Sequence, residues 1–217
     1  HLFSIGSVSI QSYGFFFALA YGTAFFLLGK AGGNAGYNKQ HFTDLALYCL
    51  ISGVFGARLL FVVSNWNYFS TVWWEIFYFW SGGLVFFGGF VIATLFLLAY
   101  FRLRKIPLLR GLDICVPALA AAHGVGRLGC FFAGCCHGAS CDLPWGVVMN
   151  SSLVDESVRG TPIHPTQLYE FFALMAIAWL SWKLLHKKDD QAGTQSGNQF
   201  AYKPGYVSSF YLMAYPL

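Results

Sequence analysis

Charge is what this chain has least of. Asp, Glu, Lys and Arg make up only 10% of its 217 residues, whereas 57% are hydrophobic and 19% aromatic. A soluble domain of this size cannot hide that much apolar surface, so that class is excluded. The net charge of +4 has no amphipathic basic face to carry it. Lys and Arg stand in short clusters between apolar runs, which argues against a nucleic-acid partner and for a membrane. Internal repeats are also lacking. So is a secretory leader: the first apolar stretch, Tyr13 to Leu28, has neither a basic start nor a small-residue cleavage site, and reads as a retained span. The chain begins at His1 rather than Met, and its last apolar run stops at Leu217 with no hydrophilic tail. It is therefore read as a fragment open at both ends.

What the sequence does have is a series of apolar runs near the roughly 20 residues that a membrane helix needs. They fall at about Gln11 to Gly29, Leu45 to Val63, within Ile76 to Phe101, Leu112 to Phe132 and Thr166 to Trp182, with a sixth starting near Gly205 and cut off. The fold class that follows is all-α, a polytopic membrane helical bundle forming one domain over 1–217. Stretches 30–41 and 183–204 are polar and read as exposed connections. With the amino terminus outside, the loops on the cytoplasmic side hold Lys30, Lys39, Arg102, Arg104, Lys105, Arg110, Lys183, Lys187, Lys188 and Lys203, ten of the thirteen basic residues. By the positive-inside tendency, 183–204 is then cytoplasmic and 131–165 an extracytoplasmic loop.

An arginine inside an apolar span costs about 3 kcal/mol and calls for a partner or a task. Arg127 sits in Gly124-Val125-Gly126-Arg127-Leu128-Gly129, where glycines let a backbone or a ligand come close. Its planar fork suits a lipid phosphate. The alternative is a structural ion pair with Asp113 or Glu170, the glycines serving helix packing alone. A second cluster, His164-Pro165-Thr166-Gln167-Leu168-Tyr169-Glu170, reads as a helix start at the membrane surface. Its free N–H groups favour an anion. His164 is a candidate general base or phosphate ligand, and Glu170 a candidate orienting partner for Arg127 or Arg58. The plain alternative is that His164 caps the helix and Glu170 complements its dipole.

Four cysteines, Cys130, Cys135, Cys136 and Cys141, fall within twelve residues around His137 on the oxidising side. Their spacing matches neither CxxC nor a paired zinc pattern. A disulfide stapling the outer loop, from Cys141 to Cys135 or Cys136, is the preferred reading over metal or redox work. Cys49 and Cys115 read as apolar packing residues.

The heptapeptide His164 to Glu170, with Gly126-Arg127-Leu128-Gly129, resembles the signature of the bacterial phosphatidylglycerol-prolipoprotein diacylglyceryl transferases. Supporting matches run along most of the chain: Tyr13-Gly14, Gly56-Ala57-Arg58-Leu59, Gly82-Gly83-Leu84-Val85-Phe86-Phe87-Gly88-Gly89, and Asp113 with Pro117. The resemblance implies a seven-span enzyme of the bacterial inner membrane, six spans being in view here. It would move the diacylglyceryl group of phosphatidylglycerol onto the thiol of a lipobox cysteine in a prolipoprotein signal peptide, releasing glycerol phosphate. Its active site would face the extracytoplasmic side, with both acyl chains left among membrane lipid.

By the same resemblance Arg127, His164, Tyr13 and Glu170 are the catalytic candidates. Arg58, Gly126, Gly129, Gln167, Tyr169, Gly88 and Gly89 are the substrate-binding ones. No cofactor or metal is required. Two positions depart from the family pattern: Phe87 stands where many members carry a histidine, and Cys130 where they carry an asparagine. A late arginine and glutamate are expected beyond Leu217. Two other classes stay open, a membrane thiol/disulfide oxidoreductase working through Cys130 to Cys141 and a noncatalytic lipid-binding paralogue.

Overall fold

The computed structural model describes residues 3–5, 8–10, 12–79, 82–151, 153–193 and 204–215; for 3–5, 8–10, 12, 13 and 187–193 the description covers the backbone alone. The chain opens with an antiparallel pair, β1 (Phe3–Ile5) and β2 (Val8–Ile10), in which Phe3 faces Ile10. Then come α1 (Ser12–Asn34), α2 (Lys39–Ser64), the short α3 (Trp66–Phe69), a 3-10 turn (Trp73–Phe77), α4 (Phe86–Leu103) and α5 (Leu108–Ala133). The strand pair β3 (Val147–Val148) and β4 (Pro162–Ile163) folds the following loop, before α6 (Thr166–Gly193) and α7 (Tyr206–Ala214).

Five of these helices are long and apolar enough to cross a membrane, over Gly14–Asn34, Lys39–Ser64, Phe86–Leu103, Leu108–Ala133 and Thr166–His186. Their outer faces are greasy: Phe86, Phe87 and Leu103 are 76%, 70% and 81% exposed. Such surfaces are stable only against lipid. The chain is an all-α, multi-pass membrane protein, and α7 begins the sixth apolar run.

Helix ends differ from the sequence-based boundaries for local reasons. Stretch 30–41 is mostly helix, because α1 continues to Asn34 and α2 already starts at Lys39. Asn38 caps α2, its side chain accepting from Gln40 N at 2.9 Å. On the same side, α6 runs on to Gly193 instead of stopping at Trp182. At the opposite end the third span starts late, at Phe86, since Trp73–Phe77 forms a 3-10 turn with exposed Trp73 and Trp74. Tryptophans at that level suit the membrane–water interface.

α5 is the hub, packed along α1 and α6 and touching α4 and α7. Its inward positions are small or short, with Gly111, Ala118, Ala120, Ala121 and Gly124 buried, so neighbouring backbones approach closely. A Cβ on Gly124 would lie 2.8 Å from Met175 Cε of α6. The second tight seam joins α2 to α4, where a Cβ on Gly56 would lie 2.5 Å from the Gly88 carbonyl and one on Gly89 2.8 Å from the Gly53 carbonyl. Phe42, Leu45, Phe101, Ile114 and Leu185 fill the core at the end where the basic loops gather.

Candidate functional site

The last turns of α5 and the first turns of α6 meet at Arg127 and Glu170. Arg127 Nη2 lies 2.7 Å from Glu170 Oε2, with the two side chains 25% and 29% exposed, so the pair is neither sealed in nor open to bulk water. Tyr215, beyond α7, donates its hydroxyl to the same Glu170 oxygen at 2.7 Å and accepts from Arg127 Nη2 at 3.4 Å. The ring of His123 lies edge-on to Tyr215 at 5.2 Å. Arg127 Nε is buried and has no hydrogen-bond partner among the described residues. A guanidinium N–H left unmatched in this way is costly, and an anionic oxygen would relieve it.

Of the glycines around Arg127, Gly124 is spent on packing, Gly129 is buried, and Gly126 opens space, since a Cβ there would meet nothing within 4 Å. The ion-pair alternatives also separate. Glu170 is the partner of Arg127, whereas Asp113 is fully buried and caps α7: its carboxylate accepts from Gly205 N, Ser208 N and Ser208 Oγ at 2.7, 2.7 and 2.8 Å. That cap anchors the short helix that carries Tyr215 into place.

Several expected site residues have structural contacts of their own. Arg58, assigned to substrate binding by resemblance, is 4% exposed and spends its guanidinium on main-chain carbonyls: Ile76 at 3.0 Å, Gly82 at 2.7 Å, Gly83 at 3.2 Å and Glu75 at 2.5 Å. It also lies 5.4 Å from the rings of Phe61 and Phe69. This is a staple for the outer loop between α2 and α4. Gly88 and Gly89 belong to the α2–α4 seam just described. Phe87 is exposed at the start of α4, against Phe86. The side chain of Tyr13 lies outside the described residues. Phe16, three residues on, stacks on Phe132 at 4.9 Å, which sets the start of α1 beside the end of α5.

The heptapeptide beginning at His164 works as a clamp on the preceding loop. Gly138 N donates to the His164 carbonyl at 3.0 Å and His164 N to that of Ala139 at 2.9 Å. Thr166 Oγ1 donates to the Cys136 carbonyl at 3.0 Å, and Gln167 Nε2 to that of Cys135 at 2.6 Å. A Cβ on Gly138 would lie 2.8 Å from both His164 Cβ and Thr166 Cγ2, so the contact needs a glycine there. His164 Nδ1 pairs with the Tyr169 hydroxyl at 3.2 Å, which also accepts from Trp145 Nε1 at 2.9 Å.

The clamped loop rearranges the cysteines relative to expectation. Cys141 is buried beside Gly146 and Pro162, its N–H donating to the Pro162 carbonyl at 2.9 Å. The thiols that converge are instead Cys130, Cys135 and Cys136, all within 4.8 Å of one another. Cys141, expected to bridge to Cys135 or Cys136, has its backbone held against Pro162 of β4. All six cysteines are free thiols. Burial first, then neighbouring Cys130 and Cys136, pushes the Cys135 thiol up to about 12.

Tyr215 is the residue that sequence reasoning missed. Its one signal is the Tyr211–Tyr215 repeat at i, i+4, a pair that stacks at 6.2 Å and lays Tyr215 along the α5 side of α7.

Comparison with known proteins fits this arrangement to a family. The whole chain, residues 1–217, matches the family model described as prolipoprotein diacylglyceryl transferase. A phosphatidylglycerol--prolipoprotein diacylglyceryl transferase of Clostridium tetani is 32% identical over 188 residues, covering 84% of this chain and 74% of the relative. One from Lactobacillus delbrueckii subsp. bulgaricus is 33% identical over 190 residues, 86% of this chain and 68% of the relative. One from Geobacter sulfurreducens is 31% identical over 186 residues, 81% and 69%. From the half-buried arginine on α5 to the clamp at the head of α6, this chain belongs to the prolipoprotein diacylglyceryl transferase family.

Proposed function

We propose that this protein transfers the diacylglyceryl group of phosphatidylglycerol to a cysteine thiol of a prolipoprotein. The thiol gives up its proton to water, the sulfur attacks the glycerol carbon that bears the phosphate ester, a C–S bond forms, the C–O bond breaks, and glycerol phosphate departs with the bonding electrons. Family membership favours this reading over a thiol/disulfide oxidoreductase. The acceptor is the lipobox cysteine of a signal peptide, the membrane is the bacterial inner membrane, and the site opens on its extracytoplasmic side. That side follows from the gathering of ten basic residues on the opposite loops.

The observation that carries the site assignment is Arg127. Its pair with Glu170 fixes the guanidinium plane, its Nε–H is buried without an acceptor among the described residues, and Gly126 leaves the adjoining face open to them. A phosphate diester reaching that face gains a charge-assisted bond that strengthens as charge builds on the departing oxygen. Glu170 and Tyr215 act as positioning residues. Gln167, Thr166 and His164 hold the loop above, and Tyr169 supports His164.

The test is conversion of a lipobox-cysteine peptide in phosphatidylglycerol vesicles by the purified protein, read as the mass gain of one diacylglyceryl group. Arg127→Ala abolishes it while leaving the helical content unchanged. Undiminished turnover in that variant rejects the site.

A further inference from the structure

Three thiols converge at a place where their spacing in the sequence follows no metal-binding pattern. Cys130 stands on the last turn of α5, and Cys135 and Cys136 lie on the loop that folds back over that helix end. Gly134 makes the reversal at a φ of 74°, with Cys135 N donating to the Cys130 carbonyl at 3.1 Å. Cys136 then holds a left-handed φ of 59°, a conformation that non-glycine residues adopt only where the surroundings enforce it. Here the enforcing contacts are the bonds from Thr166 and Gln167 to the carbonyls of Cys136 and Cys135. Gln167 is fully buried, and its Oε1 has no hydrogen-bond partner among the described residues. The backbone under the sulfurs is thus fixed from a second helix, as the supporting shell of a ligand site is.

The sulfurs, within 4.8 Å of one another, need only small side-chain rotations to reach the separation of roughly 3.8 Å set by Zn–S bonds of about 2.3 Å in a tetrahedron. Three protein ligands leave a fourth position, the layout of a reactive rather than a closed structural centre. That position has an open approach, because Cys136 is exposed. The site also sits next to the arginine. Cys130 follows Arg127 by three residues on α5, the same face one turn on, with about 4.5 Å of axial rise.

The transfer reaction needs a thiolate acceptor. Glu170, the carboxylate paired with Arg127, already accepts from both Arg127 and Tyr215 through one oxygen. Its place is with the guanidinium, and making the thiolate is a separate task. A cation with thiolate ligands does that work differently: a thiol entering its open position is deprotonated on binding and stays nucleophilic.

We propose that Cys130, Cys135 and Cys136 hold a divalent cation of the zinc class, whose fourth position takes the acceptor thiol of the transfer reaction. The inference rests on the transferase reading above and departs from the sequence-based expectation of no metal. The acceptor S–H loses its proton to water as the sulfur binds. The bound sulfur attacks the lipid's glycerol carbon, and the C–O bond electrons leave on the phosphate held by Arg127. The neutral thioether is a weak ligand and is released. No oxidant or reductant takes part.

The test uses the purified full chain under reducing conditions. Metal content is measured by mass spectrometry, and cobalt(II) then replaces the metal as a spectroscopic probe. The expected result is about one zinc equivalent per chain, as for a single three-cysteine site. It is lost in Cys130→Ser and Cys136→Ser but kept in Cys141→Ser, all three with unchanged helical content. The cobalt form shows a sulfur-to-metal charge-transfer band. Its ligand-field bands shift when a lipobox-cysteine peptide is added and stay put with the serine analogue. Transfer in Cys130→Ser falls by at least about 10–100-fold, the scale seen when even supporting residues of a metal site are removed.

A metal-free chain that still transfers overturns the proposal and leaves the transferase reading intact. So does a disulfide between two of the three cysteines in the active protein, or a cobalt spectrum indifferent to the peptide thiol. A cobalt spectrum that responds to the peptide, with no transfer from phosphatidylglycerol, upholds the site and rejects the transferase reading instead.

Discussion

Glu170 Oε2 lies 2.7 Å from Arg127 Nη2 and ties the head of α6 to the end of α5. The same oxygen receives the Tyr215 hydroxyl, so α5, α6 and the residue that ends α7 converge on one carboxylate.

That convergence makes the guanidinium plane the quantity to perturb. Arg127→Lys keeps the charge but loses the planar fork, so no rigid plane fixes one N–H on Glu170 and aims another at a phosphate. Transfer by this variant is expected to fall about 100–1000-fold, the usual loss when a transition-state donor is removed. Tyr215→Phe, which deletes one hydroxyl and leaves the pair, falls much less. Rates with both variants in the same vesicles decide the order.

Arg58 separates a staple from a ligand. Arg58→Met removes bonds to four carbonyls in the outer loop between α2 and α4. It is expected to destabilise the protein by about 3 kcal/mol or more. Arg58→Lys fails to rescue, since one ammonium cannot span those acceptors. Thermal unfolding in detergent measures this. A variant with native stability but a raised KM for phosphatidylglycerol returns Arg58 to the substrate site.

The glycines divide in the same manner. Gly56→Ala drives a methyl to 2.5 Å from the Gly88 carbonyl, which costs about 1–3 kcal/mol through forced separation of α2 and α4. Gly126→Ala meets nothing within 4 Å among the described residues. It leaves stability unchanged and lowers the affinity for lipid. Paired melting and kinetic measurements read the two effects apart.

Asp113→Ala removes the cap of α7, three bonds at once. The expected cost is about 2 kcal/mol or more in stability. Transfer drops as well, through Tyr215, though by less than in Arg127→Ala. Faster amide exchange confined to 205–215, measured by mass spectrometry, locates the effect.

Cysteine reactivity follows exposure and burial. In metal-free, reduced protein, Cys136 is exposed whereas burial pushes the Cys135 thiol up to about 12. Alkylation at neutral pH is expected to mark Cys136 first, with Cys135 and Cys141 lagging. Peptide mapping of a short labelling time course checks the order.

Much of this protein is local physics, which a sequence states openly. Apolar runs of helical length, Lys and Arg gathered in alternate loops, and Pro165 with Thr166 at a helix start required no partner to be read, because lipid solvation and helix capping act within a few residues. The importance of Arg127 was also legible, since a charge in a glycine-flanked span demands an explanation by itself. Which acid meets it was not. Asp113 and Glu170 are both compatible with the sequence, and only the packing of α5 against α6 and α7 sends one to Arg127 and the other to the cap of α7. Arg58 looked like a second Arg127 until its carbonyl partners, 17 to 25 residues away along the chain, came into contact. The cysteines show the same limit most clearly. Their place on the oxidising side suggested a bridge to Cys141, but a thiol's neighbours depend on where the backbone turns, and here the left-handed Cys136 and the clamp from Thr166 and Gln167 gather Cys130, Cys135 and Cys136. The sequence by itself determined the membrane bundle and the presence of a polar outer end; tertiary packing decided which polar groups there share a site, because contacts between distant segments exist only once the helices are in place.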